Sequence, residues 1–240
     1  MPNLRKAENQ TKQFLFFSHF CHMQAHTIKV SKTAHYYTVG APSKKIKQLW
    51  IAAHGYGQLA KKFIYKFEDF DDGETLVIAP DGLSRFYFVS KAGRNPGSCW
   101  MTREDRLVEI EDYTTYLQTI YEQFVPQLHD EVQIILFGFS QGCATVCRWM
   151  MAKFPRFDHL VLWGGFMPED IDYLPHLDYV QSKNPHFIYG DEDQFLTEER
   201  MKWYDDIIEK QKIQLKRTVF GGKHIVDRKE LMKLKLTLNV

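Results

Sequence analysis

The run Gly138-Phe139-Ser140-Gln141-Gly142 sits between an apolar stretch, residues 132–137, and a segment that begins with small residues, Gly142, Cys143 and Ala144. A short apolar run reads as a buried strand, and small residues at the start of the following segment let a helix lie close to a sheet. Glycines on either side of the serine remove the Cβ atoms that would collide in a sharp strand-to-helix turn, and they leave the serine exposed at the strand's carboxyl end. The five-residue match is weak by itself; the strand before it and the helix after it give it meaning. The competing reading is a glycine-rich turn with an incidental serine.

The rest of the chain alternates in the manner that this turn requires. Residues 26–30 and 35–39 read as an antiparallel start, and 48–53 as a buried strand ending at His54-Gly55. A short helix is predicted around 59–70 and a strand over 75–79, stopped by Pro80-Asp81-Gly82. Gly93, Pro96 and Gly97 mark 83–103 as a long irregular loop. The spacing of Leu107, Ile110, Tyr113, Leu117, Ile120 and Phe124 predicts an amphipathic helix over about 104–126. Beyond the glycine turn the pattern predicts a helix over 141–153, a strand over 159–163 and a strand over 186–189. A helix over 197–211, a strand over 213–220 and a helix over 227–236 complete the series. Such β-α alternation implies an α/β fold with a mostly parallel central sheet and helices on both faces. Ligands in that architecture bind beyond the carboxyl ends of the strands.

Composition removes several functional classes. With 44% hydrophobic and 25% charged residues and a net charge of +1, the chain is neither disordered nor a polyelectrolyte binder, so nucleic acid is not an expected partner. No apolar stretch reaches the ~20 residues that span a bilayer. Cys21, Cys99, Cys143 and Cys147 are too few and too irregular for a disulfide framework, which favours a cytoplasmic protein. Residues 1–24 read as a tail ahead of a single domain over 25–240. Within it, Arg5, Lys6 and Lys12 ahead of Phe14–Phe17 imitate a secretory signal, making secretion the minor alternative. The run is short for that role, and a start at Met23 is another reading. His19, His22 and His26 have a loose metal-like spacing, and Cys143 and Cys147 share a helix face. Neither set has the ligands of a metal site, and no metal is expected.

A serine that attacks a carbonyl needs a base within reach and donors for the developing oxyanion. Where G-x-S-x-G forms such a strand-to-helix turn, the partners follow in the order serine, acid, histidine, so the base is expected after the last strand, where Gly221-Gly222-Lys223 leads to His224. The acid belongs to the Gly190-Asp191-Glu192-Asp193 run. One turn residue must bend the chain first, which favours Asp193, with Asp191 as the alternative. Gln141, after the serine, supplies one oxyanion N–H; His54-Gly55-Tyr56-Gly57 supplies the other, from Tyr56, and His54 is assigned a structural role. Trp100, Trp163 and Phe166, with Phe86, Tyr87 and Phe88, are candidates for a substrate pocket, core packing being the alternative for each. Arg94 and Arg103 either contact an acidic group or are solvated.

Taken together and in order, H-G-Y-G, G-F-S-Q-G, G-D-E-D and G-G-K-H resemble the phospholipase/carboxylesterase family of α/β-hydrolases, over roughly residues 46–235. The family includes acyl-protein thioesterases and small esterases, and its acid lies in a G-x-x-D arrangement, which selects Asp193. The resemblance implies the α/β-hydrolase fold and a cofactor-free serine hydrolase of small-molecule carboxylic esters or thioesters. Lysophospholipase or acyl-protein thioesterase activity is the alternative within the class, and a degenerate ligand-binding protein the alternative outside it. Gln58 departs from the family pattern, which usually has an aspartate there.

Overall fold

The computed structural model describes residues 24–90 and 93–238. The expectations placed on Arg5 through Met23, including Cys21, His19 and His22, lie outside the described residues. The chain forms two units, Met1–Thr33 and Ala34–Val240. In the first, the described residues 24–33 contain no helix or strand, so the strand expected over 26–30 is absent. Ile28 and Val30 alternate as a strand would, yet both are exposed. Alternation marks a face but does not supply an edge to pair with.

The second unit begins with β1 (Tyr36–Val39) and β2 (Gln48–Ala53). A four-residue α1 (Ala60–Phe63) runs on as a 3₁₀ turn to Phe70, and β3 (Thr75–Pro80) follows. Next come β4 (Ser84–Ser90), β5 (Gly93–Cys99), α2 (Arg106–Phe124), β6 (Gln133–Phe139) and α3 (Gln141–Lys153). The chain continues through β7 (His159–Trp163), α4 (Leu177–Gln181), β8 (His186–Gly190), α5 (Glu198–Lys210), β9 (Lys216–Phe220) and α6 (Arg228–Leu238). Seven strands form one sheet in the order β1-β3-β2-β6-β7-β8-β9. All neighbours are parallel except β1 against β3. This is the α/β-hydrolase fold.

Successive residues of a strand point to opposite faces, and each face here has its own core. Leu49, Ile51, Ile134, Leu136, Leu160 and Leu162 pack with Leu117, Val146, Trp149 and Tyr204 from α2, α3 and α5. Trp50, Ala52, Ile135, Phe137 and Val161 pack on the other side with Phe63, Phe67 and Phe70, and with Leu231 and Leu234 of α6. Both faces of the parallel strands are covered, so β2 and β3 are buried along their full length. No helix among the described residues is long and apolar enough to cross a membrane.

Three further expectations need correction. The segment 83–103 is not an irregular loop: β4 and β5 pair antiparallel from Ser84↔Cys99 to Ser90↔Gly93. Pro96 opposes Tyr87 in a two-stranded ribbon, where a missing N–H is tolerated. Gly97 is a strand residue whose Cβ would stand 2.5 Å from Gly57 O, so it permits a close backbone approach. Leu107, assigned to the buried face of α2, is exposed, and burial on that helix begins at Tyr113. The last strand starts at Lys216, not 213, because the Gln181 side chain holds Gln214 through both its N–H (2.8 Å) and its carbonyl (3.2 Å).

The joint between sheet and α3 leaves no room for an added side-chain carbon. A Cβ on Gly142 would lie 2.1 Å from Ala53 O, and one on Gly138 would lie 2.5 Å from the Cys143 backbone. Both obstacles are backbone and cannot swing aside. Gly142→Ala is therefore expected to destabilise by about 3 kcal/mol or to prevent folding, as overpacking does in a close-packed interior. Gly221→Ala, which faces open space, should change stability by less than about 0.5 kcal/mol in urea unfolding.

Candidate active site

β6 delivers Ser140 to the carboxyl edge of the sheet. Its φ of 54° and ψ of −116° form the strained turn that the two glycines make room for. The Ser140 N–H donates to Trp163 O (2.9 Å), and Ser140 O accepts from the Cys143 N–H (3.0 Å), so the turn is tied to β7 and to α3. Gln141 is the first residue of α3, and its N–H has no acceptor within the helix. Its side chain donates to Met101 O (2.9 Å) and accepts from the Trp100 N–H (3.2 Å), which locks that residue in place.

β8 and β9 bring the acid and the histidine together. His224 Nδ1 lies 2.6 Å from Asp193 Oδ2, and the other carboxylate oxygen accepts from the Phe195 N–H (2.9 Å). Asp193 is buried, so this pair is shielded from water. With Nδ1 directed at a carboxylate, that nitrogen carries the proton and Nε2 is left as the ring's acceptor. The imidazole is held between Phe139 (4.9 Å between ring centres) and Phe195 (4.6 Å). Asp191 and Glu192 have a different task. Asp191 accepts from the Gly222 N–H (2.9 Å) and the Glu192 N–H donates to Gly222 O (2.8 Å), so they fasten the loop that returns His224 to the edge.

The segment after β2 is braced from below. His54 is fully buried: its Nδ1 contacts Gly55 O (2.8 Å), and its Nε2 accepts from the Gly82 N–H (3.0 Å). Asp81 accepts from the Ala60 N–H (2.9 Å), Ser98 Oγ (2.9 Å) and Arg85 (2.8 Å). Burial opposes its charge, but these donors outweigh it and hold the carboxyl well below the usual range. β5 completes the brace, because the Gly57 N–H donates to Ser98 O (2.9 Å) and the Ser98 N–H to Gln58 O (3.0 Å). Among the described residues no acceptor engages the Tyr56 N–H. The Tyr56 ring is exposed and rests on Phe86, with ring centres 5.1 Å apart.

Ser140, Gln141 and His224 line one cavity of about 670 Å³. Of the six aromatic residues put forward for a pocket, only Phe166 lines it. Trp100 and Trp163 are 1% exposed and belong to the core. Each indole N–H is engaged by a backbone carbonyl, Trp100 with His54 O (2.9 Å) and Trp163 with Ile225 O (2.8 Å), so both brace the site from behind. Tyr87 and Phe88 are exposed on the hairpin, with Arg94 over the Tyr87 ring. Cys143 and Cys147 are buried free thiols, and burial raises the pKa of both. Sequence reading missed Arg148, Arg106, Arg200, Leu196 and Trp203, which also line the cavity. A signal existed for Arg148: Gln141, Ala144 and Arg148 are spaced three and four apart on α3 and all face the cavity.

The model of the phospholipase/carboxylesterase family matches residues 34–240, nearly the whole chain. The chain belongs to this family. It is thereby a hydrolase. No curated protein sequence matches it. Among solved structures, maize (Zea mays) acyl-protein thioesterase 2 is similar with a TM-score of 0.65 at 14% identity, over 86% of this chain and 98% of that one. Esterase PE8 is similar with a TM-score of 0.57 at 19% identity, over 87% and 99% of the two chains. A phospholipase/carboxylesterase from Dyadobacter fermentans has a TM-score of 0.57 at 16% identity, over 88% and 99%. At such identities these likenesses show the shared fold.

Where the family usually has an aspartate, Gln58 presents its Oε1 to the Gly55 N–H (2.9 Å). An amide oxygen accepts that bond as a carboxylate oxygen can, without placing a charge beside Ser140. The deeper anchor is Asp81. It is a stronger acid in the folded than in the unfolded chain, so its stabilisation is complete above its ordinary pKa of 3.8 and is lost as the pH falls below it. Asp81→Asn should therefore be clearly less stable than the wild type at pH 6, with the gap narrowing at pH 3. A gap in urea-unfolding free energy that stays constant over that range would contradict this account.

Proposed function

We propose that this hydrolase cleaves carboxylic esters or thioesters through an acyl-enzyme on Ser140, with His224 as base, Asp193 as its orienting acid, and the Gln141 and Tyr56 N–H groups as oxyanion donors. His224 Nε2 takes the Ser140 hydroxyl proton as Oγ attacks the substrate carbonyl. The tetrahedral oxyanion is held by the two amides, and its collapse expels an alcohol or thiol that receives the proton back from His224. Water then attacks the acyl-enzyme with His224 again as base, releasing the acid and restoring Ser140. Asp193 keeps the proton on Nδ1 and stabilises the imidazolium without itself being protonated.

The 2.6 Å contact between His224 and Asp193 carries this reading, since it orients an acceptor nitrogen in the cavity that also contains Ser140. The strained backbone at Ser140 supports it, because such strain clusters at functional sites. These steps balance with the protein's own groups, the substrate and water. Oxygen esters and thioesters pass through the same tetrahedral geometry, so the machinery serves either. A p-nitrophenyl ester chain-length series, run beside acyl-CoA and lysophospholipid, separates a small-ester enzyme from a thioesterase or lysophospholipase.

A fluorophosphonate probe should label Ser140 in the wild type and leave Ser140→Ala unlabelled, whereas a degenerate binding protein would not be labelled at all. Ser140→Ala should lower kcat by on the order of 10⁴-fold or more with an unchanged circular dichroism spectrum, and Asp193→Asn by roughly 10³–10⁴-fold. Turnover by Ser140→Ala at the wild-type rate would overturn the mechanism.

A further inference from the structure

The geometry points to an anionic substrate: a carboxylate or phosphate group on the ester or thioester, seated by Arg103 and Arg200 at the cavity that contains Ser140. This rests on the reading of Ser140 as the acylated residue. Four arginines and two carboxylates line the cavity, Arg103, Arg106, Arg148 and Arg200 against Glu169 and Asp170. Four positive charges less two negative leave a local excess of two on a chain whose formal net charge is +1. An excess of one sign of charge in a cleft biases the field on what enters it.

The four arginines do not have the same freedom. Arg106 and Arg148 share the Asp170 carboxylate, Arg148 at 2.7 Å, and so fasten α2 and α3 to the segment after β7. Arg200 is aimed instead of paired. Its Nη1 donates to Phe195 O (2.9 Å) and its guanidinium lies 5.3 Å from the Phe166 ring centre, which holds the plane while leaving its other N–H groups available. Arg103, from the segment after β5, is exposed and has no ion-pair or hydrogen-bond partner among the described residues. Two guanidiniums from separate elements thus face one cavity without a carboxylate of their own, and guanidinium matches carboxylate and phosphate in a planar, two-bond geometry. Phe166, Leu196 and Trp203 give the same cavity an apolar wall, so the anion belongs to a ligand with a short apolar stretch.

The test compares matched substrates. With the anion on the acyl side, p-nitrophenyl hemiglutarate is set against p-nitrophenyl pentanoate; with it on the leaving side, butyryl-CoA is set against S-butyryl-N-acetylcysteamine. The charged member of one pair should have the higher kcat/KM by at least ~10-fold at low salt, with the ratio shrinking as salt rises. Which pair responds tells where the anion sits. Arg103→Gln and Arg200→Gln should each lower that ratio at least ~3-fold, and the double variant should bring it near one. Calorimetric titration of Ser140→Ala with glutarate and with butyrylated CoA should show binding that the double variant loses, whether or not any ester is turned over. A ratio near one in both pairs, a ratio that the double variant leaves unchanged, or an absence of anion binding to Ser140→Ala would overturn the assignment. Failure to hydrolyse any of the four substrates with anion binding intact would instead count against the role given to Ser140.

Discussion

The approach of α3 to the ends of β2 and β6 is the constraint on which the site depends. Gly142 lies against the carbonyl of Ala53 and Gly138 against the backbone of Cys143, at separations that leave no space for a single additional carbon. That contact forces Ser140 into a positive φ, raises its side chain above the sheet edge, and leaves the Gln141 N–H free at the start of the helix. It also sets the distance between the Ser140 turn and the segment after β2, because Ala53 is register partner to Gly138.

Around that joint, the loops at the carboxyl edge are held by hydrogen bonds rather than by apolar packing alone. The segment after β2 leans on Asp81 and Ser98, the one after β8 on the Gly222 backbone, and the one after β9 on the indole of Trp163. Most of these partners are buried, where a hydrogen bond is stronger and an unmade one costs more. Loops so braced hold the wall of the cavity in a fixed arrangement. The hairpin β4–β5 belongs to this scaffold: its inner end props Gly57 and Gln58, while its outer end carries exposed aromatic residues.

The cavity combines an apolar wall with an unbalanced set of arginines, which no bulk property of the chain reveals. A formal net charge of +1 is an average over acids and bases that the fold distributes unevenly. Asp170 illustrates the point, since one carboxylate shared by Arg106 and Arg148 neutralises one charge and leaves the other.

Strong periodicity and strong local chemistry made much of this molecule legible in one dimension. The alternation of strands and helices, the turn at Ser140 and the helix over 141–153 follow from side-chain volume and turn requirements acting between near neighbours, and His224 is singled out by its place in the chain order that goes with such a turn. The carboxylate that meets His224 is legible only as a short list: turn geometry and family resemblance favour Asp193 over Asp191 and Glu192, and it is the folded backbone that directs one carboxylate at the imidazole and two residues of the run at the Gly222 loop. Gly93, Pro96 and Gly97 imitated loop residues because their strand role depends on having a partner strand and, at Gly97, on the carbonyl of Gly57 approaching from elsewhere in the chain. Trp100 and Trp163 looked like pocket residues because an aromatic side chain is equally suited to a core, and only the carbonyls of His54 and Ile225 decide for the interior. The sequence by itself thus determined the fold class and the order of the chemical groups, which local volume and turn geometry dictate. The tertiary structure alone decided which carboxylate meets His224, which aromatics face the cavity and which arginines lack a partner, because those outcomes depend on groups far apart in the chain meeting within a few ångströms.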